Sequence, residues 1–384
     1  MDSVKLWMQQ NLKGDPVIWI IVFMFSLLSV AAVYSATGTL AYKRDVEVEQ
    51  YLINHSLLMF LSLGAMWVAH RVDYRYYSRL SRFALILSVP LLLYAFFFGT
   101  NLNEASRWIE IPLINKTFQP SDLAKLALIA NLAAMLSKRQ QNITDKELLT
   151  PVLFWIGLIC GLIALSNFST AGLLFATCLL LMFIGRVPVK YLFLLILIGA
   201  IGGGLAFAFG QRGGTLLSRI ESYTSPGEIS YQTEQSYIAI ATGGIAGKGP
   251  GNSDSRNLLP HPYSDFIYAI IIEEYGLFGG ILVIFLYLAL LYRGMKAVSQ
   301  SERAFGGLLS AGLAFALVLQ AFVNMGVAVG ILPVTGQPLP MISMGGTSLL
   351  FNGLALGIIL SVSRGDVEDI ATAPKDVGNY AKTA

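Results

Sequence analysis

The chain has 384 residues, 55% hydrophobic and only 13% charged, with a formal net charge of +3. A soluble domain carries about twice that charged fraction, so the composition excludes an ordinary soluble enzyme and predicts a polytopic membrane protein. The net charge is too small to argue for nucleic acid. The two cysteines, Cys160 and Cys178, sit inside apolar segments and make no redox or metal motif.

Apolar runs near the ~20-residue length of a spanning helix recur about ten times. They fall near 17–37, 52–70, 82–99, 121–137, 150–166, 169–185, 190–210, 266–291, 304–331 and 342–363. The first is long enough to span, so it reads as a retained helix and not a cleaved leader. The short polar patch at Leu165–Ser169 separates the fifth and sixth runs as a tight, re-entrant type of turn. The expected fold is therefore all-α, one transmembrane domain over 1–365, with a polar, disordered tail over 366–384.

Cations set the orientation. Arg71, Arg75, Arg79 and Arg82 follow the second run, and Lys138, Arg139 and Lys146 follow the fourth. Arg186 and Lys190 follow the sixth, Arg293, Lys296 and Arg303 the eighth, and Arg364 the tenth. Ten helices put all of these on one side. Both termini are then cytoplasmic, and the long polar stretch 211–266 lies outside. Lys43, Arg44, Arg107 and Lys116 are exceptions on the outer side, as are the cations of the long polar stretch.

The outer segments carry the chemistry. Between 100 and 125 stand Arg107-Trp108 and then Gln119-Pro120-Ser121-Asp122-Leu123-Ala124-Lys125. Pro120 and Ser121 are helix-start residues, and Asp122 and Lys125, three apart, share one helix face. They read either as a capping acid with a snorkelling lysine or as an ion pair facing a cavity. The 211–266 stretch contains Arg212, Arg219, Lys248 and Arg256, and a glycine run from Gly243 to Gly251. Gly247-Lys248 invites a nucleotide phosphate loop, which fails: Thr242 stands where the first glycine is needed, and Gly249 where a Ser/Thr would hold magnesium. A looser reading survives, in which Lys248 meets a lipid-linked pyrophosphate, beside a plain one of a glycine hinge with a solvated lysine.

Asp265 follows Ser264, an N-cap residue type, and so is expected in the first turn of the eighth helix, at the bilayer lip. Glu273 and Glu274 lie about 12–14 Å deeper at 1.5 Å rise per residue; adjacent carboxylates inside a spanning helix need internal partners, as cavity-lining or structural polar groups. The last loop, 330–348, holds three prolines and several glycines together with Ser343. Non-helical backbone at membrane depth is tolerated where it is buried in protein or lines a cavity, so this segment is expected to wall one.

Together these residues resemble the SEDS family (shape, elongation, division and sporulation). The resemblance covers nearly the whole chain. It rests on Arg107-Trp108, Gln119-Pro120-Ser121 with Lys125, Tyr231-Gln232, Gly247-Lys248-Gly249, Ser264-Asp265-Phe266 with Glu273-Glu274-Tyr275-Gly276, and Gly330 to Gly346. It implies ten helices in the bacterial inner membrane and peptidoglycan glycosyltransferase activity on lipid II. It also implies a class B penicillin-binding protein as partner, alongside other divisome proteins, and an essential aspartate that Asp265 matches. The compact length and the wording Leu332-Pro333-Val334-Thr335-Gly336 lean towards the division branch over the elongation branch. Three positions depart from the family: Asp122 where glutamate is usual, Ser166–Thr170 where a Pro-Asp-x-Gly-Thr run is usual, and Met344 where tyrosine is usual.

On this reading Asp265 is the catalytic base or acceptor-orienting group. Lys125, Arg107, Asp122, Arg212 and Lys248 are candidates for the pyrophosphate and headgroup. No cofactor is implied; a divalent cation, Mg or Mn, could assist, but no His/Asp/Glu cluster specifies a site for it. The rival functions are a lipid II flippase and a non-catalytic scaffold for a synthase.

Overall fold

The computed structural model describes residues 11–38, 48–102, 105–111, 116–138, 145–209, 230–301 and 303–372, with single residues between 210 and 229. Among the described residues ten long helices match the ten apolar runs: α1 Pro16–Ala36, α2 Val48–Arg71, α3 Tyr74–Phe98, α4 Pro120–Ser137, α5 Asp145–Ala164, α6 Phe168–Ile184, α7 Val189–Phe209, α9 Ile267–Gln300, α10 Ala304–Ala328 and α11 Thr347–Thr372. A shorter helix, α8 (Tyr231–Gly243), lies in the outer stretch. By length and hydropathy seven of the described helices qualify outright as spans. The apolar parts of α5 and α6 fall just short, and α4 carries Asp122 and Lys125.

Several boundaries differ from the sequence reading. α3 begins at Tyr74, eight residues before the apolar run, because Asp73 caps it by accepting from Arg75 N at 2.9 Å. α9 continues through Arg293 and Lys296, and α11 starts only at Thr347. α11 also runs on to Thr372, into the segment expected to be a disordered tail; residues 373–384 lie outside the described residues. The patch after α5 is a tight turn, with Asn167 capping α6 at Thr170 N. The all-α expectation holds for the membrane part. The outer segment at 100–118 adds a small antiparallel sheet of three strands, β1 (Thr100–Leu102), β2 (Ala105–Ile111) and β3 (Lys116–Phe118), in the order β1-β2-β3. It sets Arg107 and Trp108 on a paired strand and delivers the chain into α4.

Small residues let the helices approach, as membrane packing requires when lipid is as apolar as leucine. On α11 a β-carbon at Gly353 or Gly357 would come within 2.4 Å of α2 backbone at Ser62 or Met66. α10 is the central helix, with 72% of its apolar window buried, against 11% for peripheral α7. One end of the bundle is closed by polar contacts. Asp15 caps α1, its side chain accepting from Val17 N at 2.9 Å and from Arg293 Nε. Arg364 Nη1 donates to Arg71 O at 3.1 Å, and Arg71 donates to Asn11. The chain near residues 11–15 and the part of α11 near Arg364 therefore share one face.

Candidate functional site

At the opposite end, the turn before α9 carries Asp265. The N-cap of α9 is Phe266, without a side-chain cap bond, so Asp265 precedes the helix and is not in its first turn as expected. Ser264 does not cap; its hydroxyl donates to Asp265 Oδ1 at 3.0 Å. The reason is packing. Phe266 and Ile270 bury into a small apolar cluster with Ala36, Leu259 and Val327, which sets the helix start one residue later. Asn324 of α10 donates from Nδ2 to Asp265 O at 2.9 Å and to Gln337 O at 2.8 Å. Ser343 donates to Ser264 O at 2.7 Å and accepts from Leu339 N at 2.8 Å, while Met344 N donates to Tyr263 O at 2.9 Å. The last loop, 330–346, thus clamps the aspartate turn. It lies against protein, with Gln337, Leu339, Met341, Ile342 and Ser343 buried, as its prolines and glycines led us to expect. Tyr287 of α9 donates to Pro340 O, and Gln320 of α10 donates to Pro338 O at 2.8 Å.

Burial pushes the Asp265 carboxyl above the usual carboxylate range. The Ser264 hydroxyl and the charges of His261, Arg219 and Arg107 pull the other way and do not prevail. Arg107 on β2 and Arg219 in the outer stretch therefore act on the same carboxylate. Arg219 was only one of several loop cations in the sequence; nothing local distinguishes it, because its proximity is tertiary. Arg212 lies outside the described residues.

Asp122 and Lys125 do pair, at 2.8 Å, with Asp122 almost fully buried. They line a narrow pocket between α4, α6, α10 and α11, part of it open to the surroundings. Its polar end adds Thr177, Gln320 and Asn352, and its walls are aliphatic. Asp122 Oδ2 has no hydrogen-bond partner among the described residues. Gln320 and Asn324 lie one helical turn apart on α10, so that helix serves both the cavity and the aspartate turn. An i, i+4 amide pair on a buried helix was a legible sign of this, and the sequence reading passed over it.

The glycine run is neither hinge nor open loop. Gly276 breaks α9 with φ 67° and ψ −169°, and 243–251 packs backbone-to-backbone into the break. A β-carbon at Gly247 would fall 2.2 Å from Glu274 O, and one at Gly276 2.1 Å from Ile245 O. Lys248 N and Gly249 N donate to the carbonyls of Glu273 and Glu274, both at 2.9 Å. Lys248 Nζ stands 2.7 Å from Glu273 Oε1 and 2.9 Å from exposed Asp254. Ser253 Oγ and Ser255 N complete the shell on Glu273 Oε2. Glu274 takes the Ser35 hydroxyl, next to Arg256. Both glutamates thus meet the outer stretch itself and do not stand isolated below it, because the glycine segment descends beside α9.

Gly276 faces the glycine segment, and Gly279 and Gly280 face Tyr275, Tyr268 and Ile272 of their own helix. The exposed stripe of α9 is Leu277, Phe278, Ile281, Phe285, Leu288 and Tyr292.

A family model described as "Cell cycle protein", covering FtsW, RodA and SpoVE, matches residues 15–367. A "Probable peptidoglycan glycosyltransferase FtsW" of Geobacter metallireducens is 32% identical over 374 residues, 94% of this chain and 97% of that one. The "Stage V sporulation protein E" of Bacillus subtilis is 32% identical over 370 residues, 92% and 98% of the two chains. Among solved structures, the rod shape determining protein RodA of Thermus thermophilus aligns with a TM-score of 0.67 at 24% identity, covering 92% of this chain and 97% of that chain. A chain of a peptidoglycan synthase complex, solved for its coordination of polymerization and crosslinking, aligns with a TM-score of 0.71 at 24% identity, covering 93% and 99%. These last two show a shared fold.

Proposed function

We propose a function from the premise that this chain belongs to the FtsW, RodA and SpoVE family. It is a membrane-embedded peptidoglycan glycosyltransferase. It polymerises lipid II on the outer face, and we assign it to septal wall synthesis, with the elongation role as the alternative. The 4-hydroxyl of one sugar attacks the anomeric carbon of another. The new O4–C1 bond forms, the bond from C1 to the pyrophosphate oxygen breaks, and the hydroxyl proton passes to a base. Undecaprenyl pyrophosphate leaves.

The observation that carries this reading is the Asp265 carboxyl, partly enclosed, raised in pKa by burial, and held by α10 and the last loop beside Arg107 and Arg219. A raised pKa makes it a better base for a sugar hydroxyl. Preorganised cations suit the charge that develops on a departing pyrophosphate. Arg107 and Arg219 are the best placed for that role, with Arg212 a further candidate. Lys125 is already neutralised by Asp122, and Lys248 by Glu273 and Asp254. We therefore read the Asp122–Lys125 cavity as the place for a headgroup with neutral hydroxyls and apolar tail, and Lys248 as part of a clamp. Among the described residues no three metal-ligating side chains converge; a divalent cation would travel with the pyrophosphate.

The protein sits in the bacterial inner membrane with both ends on the cytoplasmic side. Its partner is a class B penicillin-binding protein, whose transpeptidase cross-links the new strands, within the wider divisome. The α9 stripe from Leu277 to Tyr292 is the surface offered to that partner's membrane helix. Purified protein given lipid II, with and without the partner, tests the function by the appearance of glycan polymer. Transfer of lipid II across vesicles without polymer would replace this reading with a flippase.

A further inference from the structure

We infer that His55 is a positioning residue for Asp265, acting through Ser29 and the last loop. The inference rests on the reading of Asp265 as the reacting carboxylate. His55 of α2 and Ser29 of α1 are both fully enclosed. His55 Nε2 is 2.8 Å from Ser29 Oγ, and Ser29 Oγ is 2.8 Å from the carbonyl oxygen of Ile342. A carbonyl only accepts, so the single serine proton goes to Ile342. Ser29 must then accept from His55, which assigns the Nε2–H tautomer and leaves Nδ1 as a bare acceptor.

That Nδ1 is enclosed and has no hydrogen-bond partner among the described residues. An unmet ring nitrogen is costly in such surroundings, and an apolar residue of similar size would fill the space without it. The imidazole is therefore placed for the donor it gives to Ser29. The bond lands on the segment that holds the aspartate turn. Ile342 precedes Ser343 and Met344, whose bonds run to the carbonyls of Ser264 and Tyr263. It follows Met341, a non-glycine residue at φ 64°, a conformation that lasts only when neighbours over-determine it. The last loop is gripped on one side by the His55–Ser29 relay and grips the Asp265 turn on the other.

The test compares the full-length protein with Ser29→Ala, His55→Leu and His55→Gln. The kcat and KM for lipid II are read together with amide hydrogen exchange across 336–346 and 260–266. Loss of the relay should lower kcat roughly 10- to 100-fold, the scale of a small misplacement of a reacting group. KM and melting temperature should change little, and exchange at Ile342 to Met344 should quicken. His55→Gln, whose amide N–H reaches about as far as Nε2, should recover most of the rate. Unchanged exchange, a glutamine no better than leucine, or a loss of rate that merely follows a loss of folded protein would each overturn the inference. If His55→Leu does not fold, Ser29→Ala carries the comparison. If the wild type makes no polymer, the glycosyltransferase reading fails by itself, and the exchange data still decide whether His55 holds the loop.

Discussion

Gly336 faces the carboxylate of Asp265: a β-carbon at Gly336 would stand 3.6 Å from Asp265 Oδ2. The last loop therefore reaches the Asp265 carboxylate itself as well as the turn that carries it. Gly336 also has φ +67°, in the left-handed region where a side chain costs about 1–2 kcal/mol. Gly336→Ala should lower stability by about that amount, and Gly336→Leu should in addition cover Oδ2 and abolish polymerisation. Thermal unfolding and glycan synthesis, measured side by side, check both. An active leucine variant would place the acceptor hydroxyl elsewhere.

Asp265→Asn should fold, reach the membrane and lose polymerisation by about 10²–10⁴-fold, as for a removed general base. The pKa direction adds a second expectation. A carboxyl whose pKa is raised in the folded state contributes stability fully present below its unfolded pKa and lost as pH rises through the folded one. At neutral pH the wild type therefore bears a cost that asparagine removes. The variant should melt no lower than wild type at pH 7, and any advantage should vanish near pH 4. The wild-type rate should fall on the acid side through a pKa above that of a free carboxyl. A variant uniformly less stable at all pH values would contradict this direction.

Asp122 is almost fully buried and Lys125 about one-fifth exposed. Removing one partner of such a pair leaves an uncompensated charge, a loss of about 3–5 kcal/mol. Lys125→Ala should therefore melt lower than the double change Asp122→Ala/Lys125→Ala. Both should bind lipid II more weakly if the cavity holds its headgroup. A single variant as stable and as active as wild type would remove the pair from both roles.

Lys248→Met tests clamp against pyrophosphate contact. Glu273 is fully buried and would keep Ser253 and Ser255 but lose its cation. We expect a lower melting temperature with an unchanged KM for lipid II in the protein that remains folded. A large rise in KM at constant stability would return Lys248 to the substrate.

Orientation is checked with cysteines at exposed positions. Asn257→Cys, in the outer stretch, should react with an impermeant thiol reagent in intact cells. Lys190→Cys, after α6, should react only on lysis. The opposite pattern would invert the whole bundle.

The helices were legible because a ~20-residue apolar run has little else to be. The Asp122–Lys125 pair was legible because i, i+3 is fixed by the helix. The first turns of α3 were missed because Arg75, Arg79 and Arg82 interrupt the apolar pattern, although Asp73 is an ordinary cap. The Glu273–Lys248 contact was not legible: it joins residues 25 apart, and only the packing of one backbone against another at Gly276 brings them together. The Ser29–His55–Ile342 chain draws on α1, α2 and the last loop, so no local spacing announces it. In the last loop the prolines and glycines revealed that the helix stops, but not which partners satisfy the backbone.

The break at Gly276 divides α9 into two levers. The outer arm, Ile267 to Tyr275, is pinned through Glu273 and Glu274 to the glycine segment and to Ser35 at the outer end of α1. The inner arm is moored by Arg293 to Asp15 at the other end of that same helix. α1 thus ties both arms of α9, and the exposed inner stripe begins just past the glycine break, beyond the arm that starts two residues after Asp265. A protein seated on Phe278 and Phe285 would therefore sit on the same helix that follows the Asp265 turn, without touching the carboxylate.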